Sequence, residues 1–178
     1  MRYWTRFAGT FFTVLGALLL LNITAPAVLS VPPDNAESFN LFVDPVWYFN
    51  LLVGPGEELM FRLVLPLGFM RILGVGFLPA SIISNVIFGL LHGPRSNWDA
   101  GVMGFTASAG VIISLTVYFF SKQGEILDLR GSLLGATLAH ALYDLLIFVL
   151  TDDAKIILAI TFLALGFMSW RRLRFYHA

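Results

Sequence analysis

The chain has 178 residues, no cysteine and a formal net charge of zero, and it is 58% hydrophobic but only 12% charged. Since an average soluble domain is about 25% charged, these charges are too few to cover a soluble surface, and no basic block indicates nucleic-acid binding. The absence of cysteine excludes disulfides, thiolate metal sites and a thiol nucleophile. We therefore expect a protein embedded in the lipid bilayer.

Apolar runs of about 18 residues or more predict transmembrane helices. The first run predicts a retained helix or an uncleaved signal anchor. Residues 41–53 are apolar but too short to span, so an interfacial or re-entrant segment is expected there. Pro66 and Gly68 should kink the second helix. The predicted spans are about 7–29, 55–73, 77–92, 101–120, 131–150 and 154–170.

The predicted fold class is therefore all-α: a polytopic membrane helix bundle of about six transmembrane helices. It forms a single integral membrane domain over residues 1–178, with a motif-bearing core at about 55–150. No repeat or linker divides the chain. The sequence leaves the oligomeric state open.

Positive residues favour the cytoplasmic side of a membrane. If both termini are cytoplasmic and residues 41–53 do not cross, eight basic residues lie inside and only Arg95 and Lys155 lie outside. The inside set is Arg2, Arg6, Arg71, Lys122, Arg130, Arg171, Arg172 and Arg174. This bias predicts the orientation, in a membrane that is expected to be a prokaryotic inner or plasma membrane.

Ionisable side chains at membrane depth are rare and indicate function. On a helix of about 100° per residue, Arg62 lies roughly 40° from Glu58 and roughly 140° from Glu57. Arg62 should therefore neutralise Glu58 and leave Glu57 as an unpaired carboxylate, suited to a general base. The alternative is that both acids only stabilise a helix N-terminus. The ionisable set in the predicted spans is Glu57, Glu58, Arg62, His92, His140 and Asp144.

The other three ionisable residues could each have a structural role instead of a catalytic one. His92 precedes Gly93-Pro94 and could cap its helix. His140 and Asp144 are four residues apart, so they share a helix face and could form a hydrogen bond that only holds helices together. Because such groups tolerate the membrane only in contact with one another, we expect all of them to converge.

Several kinds of intramembrane protease lack their residues here. There is no His-Glu-x-x-His metalloprotease motif, and Asp144 is the only aspartate expected inside the bundle, which excludes an aspartyl dyad. The stretch 106–110 only approaches a Gly-x-Ser-x-Gly pattern and is predicted to be a small-residue packing face. A carboxylate base with two histidines, suited to the activation of water, remains. No cofactor is predicted, although two histidines and a glutamate leave zinc as an alternative.

Three motifs resemble those of the CPBP family, which includes the CAAX prenyl protease Rce1 and bacteriocin-processing enzymes. Glu57-Glu58-Leu-Met-Phe-Arg62 resembles its Glu-Glu-x-x-x-Arg motif. Residues 88–92 resemble Phe-x-x-x-His, and residues 140–144 resemble His-x-x-x-Asn/Asp. The motifs occur in the family's order and cover about half of the chain. Short sorting-type members, similar to myxosortases, also resemble this sequence.

The resemblance implies a glutamic-type intramembrane endopeptidase. Glu57 would deprotonate the attacking water and His92 would position it, while His140 and Asp144 would line the oxyanion side and Glu58 and Arg62 would support them. Because an ionised Asp144 cannot donate to an oxyanion, we expect it to orient His140 instead. The competing hypotheses are a small proton-coupled transporter or channel and a non-catalytic membrane scaffold.

The substrate is expected to be a membrane-anchored protein or peptide, cleaved at a C-terminal tail or a leader. In the predicted topology the catalytic groups meet in the outer half of the bilayer. Such a position suits trimming of exported, membrane-tethered proteins better than cytosolic processing of prenylated proteins. A crossing by residues 41–53 would reverse this orientation.

Overall fold

The computed structural model describes residues 2–29, 55–123, 126–147 and 149–175. These residues form six helices, which confirms the predicted all-helical membrane bundle. Residues 41–53, predicted as an interfacial or re-entrant segment, lie outside the described residues. The helices are α1 (Arg2–Leu29), α2 (Pro55–Leu73), α3 (Phe77–Leu91), α4 (Ala100–Ser121), α5 (Arg130–Leu146) and α6 (Asp152–Phe175). A 3₁₀ turn at Pro94–Ser96 and an antiparallel pair of two-residue strands, Lys122–Gln123 and Ile126–Leu127, connect them.

The six helices fall into two classes by length. Within the described residues, α1, α4 and α6 are each long and apolar enough to cross a membrane, whereas α2 and α3 reach that standard only as a pair. This pair is bent by 120° at the three residues between its helices, and α5 has only 17 residues. The three shorter helices are the ones that carry the predicted site.

Helix α1 is the centre of the bundle and packs against α4, α5 and α6. Its buried face includes Val14, Leu15 and Leu18, which join Ile113 and Val117 of α4 in the apolar core. The contacts advance in the same direction along α1 and α5 but in opposite directions along α1 and α6, so α1 is parallel to α5 and antiparallel to α6. The contacts that fix these directions are Gly131 with Tyr3, Gly135 with Phe7, Gly16 with Ala159 and Gly166 with Thr13.

One end of the bundle is basic and tied together by ion pairs. Arg6 of α1 and Arg130 of α5 both pair with Asp128. Hydrogen bonds from Arg130, and also from Arg6, hold the pKa of the Asp128 carboxyl below its usual value. Phe77, at the start of α3, stacks on Tyr118 near the end of α4 at this same end. The start of α1, the end of α4 and the start of α5 thus lie at one end of the bundle, as the predicted alternation of helices requires. That this end is cytoplasmic stays a prediction.

Helix α2 contains a π-helical turn at Met60–Val64, one turn before the kink that the sequence predicts at Pro66 and Gly68. The Leu65 N–H donates to the Met60 carbonyl five residues earlier. The next bond in that register would need an N–H on residue 66, which is proline and has none. Instead the Ser84 hydroxyl of α3 donates to the Phe61 carbonyl at 2.8 Å. A proline and a serine from the neighbouring helix thus define the distortion together.

Candidate active site

Glu58 lies at the centre of the predicted site, and its side chain is 0% exposed. Its Oε1 accepts a hydrogen bond from His140 Nδ1 at 2.8 Å and lies 3.2 Å from Nη2 of Arg62. The pairing with Arg62 is the one that helix geometry predicted. The hydrogen bond to His140 was not predicted, because it joins two helices that are far apart in sequence. Glu58 therefore fixes α5 to α2 at the level of the site.

The hydrogen bond from His140 to Glu58 also fixes the orientation of the histidine ring. A carboxylate oxygen accepts hydrogen bonds, so Nδ1 of His140 carries a proton and Nε2 faces the site. Asp144 Oδ1 lies 3.7 Å from Nε2, which exceeds hydrogen-bonding distance. The sequence assigned the orienting role to Asp144 because helix spacing places it near His140. In the structure Glu58 is the carboxylate that forms a hydrogen bond with the His140 ring.

His92 caps α3, as its structural alternative predicted, and it also lies within the range of charge–charge interaction with Glu57. Its Nδ1 lies 2.9 Å from the Phe88 carbonyl oxygen, and its ring packs edge-on against Phe88 with centroids 4.6 Å apart. Because a carbonyl only accepts, Nδ1 carries the proton and Nε2 of neutral His92 keeps its lone pair. Capping and a role in the site are therefore compatible.

Glu57 differs from Glu58 in its surroundings. It is half-buried, and no hydrogen bond joins its carboxylate to another side chain of the described part of the chain. It lies within the range of direct charge–charge interaction with His140, His92 and Arg62. Asp144 is within the same range of Glu57. The structure thus brings all six predicted residues together from α2, α3 and α5.

The site lies close to the end of the bundle opposite the basic end. Helix α5 ends at Leu146 rather than at the predicted residue 150. His140 and Asp144 are therefore nearer the helix end than the sequence suggested, at roughly 9 and 3 Å along the axis instead of about 15 and 9 Å. His92 is the residue at which α3 ends. His92, His140 and Asp144 therefore all lie within the last two turns of their helices or at the helix end.

Arg62 provides the permanent positive charge of the site, and its side chain is 1% exposed. Besides Glu58, its guanidinium lies 4.9 Å from the centre of the Phe88 ring. Sequence reasoning considered only ionisable groups and so missed the neutral polar residues that surround Arg62, above all Asn85, which is 0% exposed. The polar spacing of Ser81, Ser84 and Asn85 on an otherwise apolar helix could have revealed them.

Metal ligation was the open alternative for this cluster. Across the described ranges, no three side chains of histidine, cysteine, aspartate or glutamate lie in an arrangement that could hold a metal ion. Chelation of the purified protein is the experiment that tests whether the reaction uses a metal.

The chain matches the model of a known protein family. The model of the family described as type II CAAX prenyl endopeptidase, Rce1-like, matches residues 40–146, which is more than half of the chain and includes every residue of the predicted site. The searches of curated proteins and of solved structures found no significant match.

Proposed function

This chain belongs to the Rce1-like family and is a CPBP-type intramembrane protease, and we propose that it hydrolyses its substrate with a water molecule activated by Glu57 and His92. The observation that carries the proposal is the contrast between the two glutamates. Glu58 is engaged by His140 and Arg62, whereas the carboxylate of Glu57 has no hydrogen bond to another described side chain. The carboxylate of Glu57 is therefore the group available to accept a proton.

The proposed reaction begins with a water molecule between Glu57 and His92. Both groups present acceptors, the carboxylate of Glu57 and Nε2 of His92, so one water can donate a hydrogen to each. Its oxygen lone pair then faces the carbonyl carbon of the substrate. As the C–O bond forms, Glu57 takes the water proton. It later delivers this proton to the leaving amine nitrogen, and the C–N bond breaks. A positioned acid–base group of this kind contributes about 10²- to 10⁴-fold to the rate.

His140 is the proposed oxyanion donor. For this role it needs a proton on Nε2 as well as the Nδ1 proton that Glu58 accepts. Glu58 on one side and Asp144 on the other are two carboxylates that can share the charge of such an imidazolium. Loss of one oxyanion donor lowers kcat by about 10²- to 10³-fold in other enzymes.

We further propose that the site opens toward the outer face of the membrane and trims an exported, membrane-tethered protein at its C-terminal tail, as in short sorting-type members of the family. One feature supports the outward orientation: the basic residues gather at the end of the bundle opposite the site, and basic ends favour the cytoplasm. A membrane-associated peptide substrate follows from the family itself.

The test is cleavage of a membrane-anchored peptide by the purified protein in proteoliposomes. Glu57→Gln should reduce turnover by at least about 10²-fold, whereas Asp153→Asn should not, since Asp153 is an exposed acid in the first turn of α6. Activity should also persist after extensive chelation. Full activity of Glu57→Gln would remove the proposed base, and loss of activity on chelation that zinc restores would revive the metal alternative.

A further inference from the structure

A buried polar group that no motif contains lies beside Arg62. Asn85 of α3 is 0% exposed, and Ser114 of α4 is 2% exposed. The Asn85 side-chain nitrogen donates to the Ser81 carbonyl at 2.7 Å and to the Ser114 hydroxyl at 2.8 Å. Because a carbonyl oxygen can only accept, this contact identifies the nitrogen and fixes the orientation of the amide. The Asn85 Oδ1 must therefore face the other way.

That oxygen faces the space beside Gly110, which Arg62 also enters. A Cβ atom on Gly110 would overlap Asn85 Oδ1 and would lie 3.3 Å from Arg62 Nη2. The two atoms therefore approach the same point from two helices, and the missing side chain of Gly110 is what makes room for them. This is one contact of the face that the sequence predicted as a small-residue packing surface.

The groups that meet there are chemically complementary. Asn85 Oδ1 is a buried acceptor without a hydrogen-bond donor among the described residues, and none of the three guanidinium nitrogens of Arg62 has a hydrogen-bond acceptor among them. Glu58, although only 3.2 Å away, faces a single nitrogen of the five-donor guanidinium. Buried polar groups are nearly always paired, either directly or through an ordered water.

We infer that Asn85 is a positioning residue, which accepts a hydrogen bond from Arg62 at Gly110, directly or through one buried water. Asn85 thereby holds the guanidinium that holds Glu58, and through Glu58 it sets the His140 ring. Ser81 and Ser114 keep the amide turned toward Arg62. The effect on turnover rests on the proposed function, whereas the effect on the His140 ring does not.

The experiment uses the full chain with ¹⁵N-labelled histidine, purified in detergent, in wild-type and variant forms. The chain has three histidines, His92, His140 and His177, so each ring is resolved by nitrogen NMR and assigned by substitution. Asn85→Leu removes the amide but keeps the same number of side-chain heavy atoms and the same branching at Cγ. Gly110→Ala keeps the amide but fills the space that it shares with Arg62. Gly166→Ala is the matched control, because it crowds Thr13 at the contact of α6 with α1.

Both Asn85→Leu and Gly110→Ala should shift the ring-nitrogen resonances of His140 and leave those of His92 in place. Both should also lower kcat by about ten- to a hundred-fold, because a catalytic group is displaced, with KM changed by less than about two-fold. Gly166→Ala should do neither.

The inference is overturned if folded Asn85→Leu keeps the wild-type His140 resonances, or if Gly166→Ala shifts them equally, which would indicate a general packing effect. Should Asn85→Leu fail to fold, Gly110→Ala decides by the same criteria. If the wild-type protein cleaves no peptide, the proposed function fails while the NMR result still decides the role of Asn85.

Discussion

Replacing Glu58 by glutamine should separate stability from catalysis in this site. The glutamine side chain keeps an oxygen that accepts the hydrogen bond of His140 Nδ1, but it removes the negative charge from beside Arg62. The Arg62 side chain is 1% exposed, so its charge would remain buried without a counterion. Breaking a buried ion pair by removing one partner costs about 3–5 kcal/mol. Since whole domains are stable by only about 5–15 kcal/mol, this loss should be large.

Glu57→Gln should show the opposite pattern. Glu57 is half-buried and forms no ion pair in the described chain, so its loss should change the free energy of unfolding by less than about 1 kcal/mol. Its turnover should fall by at least about 10²-fold. Turnover of Glu58→Gln should fall less, by about ten-fold, because the hydrogen bond to His140 survives in part.

The assay pairs reversible unfolding in mixed micelles with peptide cleavage on the same protein preparations. A double variant supplies the control: in Glu58→Gln/Arg62→Met the unpaired charge is gone, so stability should recover in part while activity does not. Such non-additivity is the mark of two residues in direct contact. An inactive but fully stable Glu58→Gln, together with an active Glu57→Gln, would refute the assignment of both glutamates.

Three further predictions address other parts of the molecule. Asp144→Asn should keep partial activity, since an amide can donate to the oxyanion directly, whereas Asp144→Leu should be inactive; full activity of Asp144→Leu would place this residue outside the site. In intact cells, Asn97→Cys should react with an impermeant maleimide and Gln123→Cys should not, and the reverse labelling would turn the site toward the cytoplasm. Asp128, whose pKa is lowered by its arginine partners, should stabilise the fold above its ordinary pKa of about 3.9 and lose this contribution as the pH falls through its lower folded value. The melting temperature of Asp128→Asn should therefore lie below that of the wild type near neutral pH and meet it in acid, and a difference that persists there would refute the linkage.

The sequence predicted the helices well because hydropathy reports directly on which segments can enter the bilayer. It misplaced the end of α5 and did not reveal the π-helical turn of α2. The end of α5 at Leu146 follows from a tight turn, in which Val149 and Leu150 both donate to the Leu146 carbonyl, within a stretch that is apolar throughout. The π-helical turn needs Ser84, which no local pattern of α2 contains.

The residues of the site were predicted for a related reason. Ionisable groups tolerate the membrane only together, so their convergence follows from composition alone. Their pairings do not, because helix angles describe one helix at a time. That approach found Glu58 with Arg62 and missed Glu58 with His140, a contact between α2 and α5. Neutral Asn85 escaped notice since only ionisable side chains were considered at membrane depth.

The number of residues in the π-helical turn determines the direction in which the two glutamates point. A π turn holds one residue more than the α turn it replaces, and that extra residue rotates everything before it by about 100° relative to everything after it. Pro66 fixes the C-terminal boundary of the turn, and Ser84 holds the Phe61 carbonyl within it. The extra residue therefore stays at this position of α2. Glu58 contacts His140 of α5 in the register that this extra residue sets, and the loss of one residue between Met60 and Val64 would rotate Glu58 away from α5.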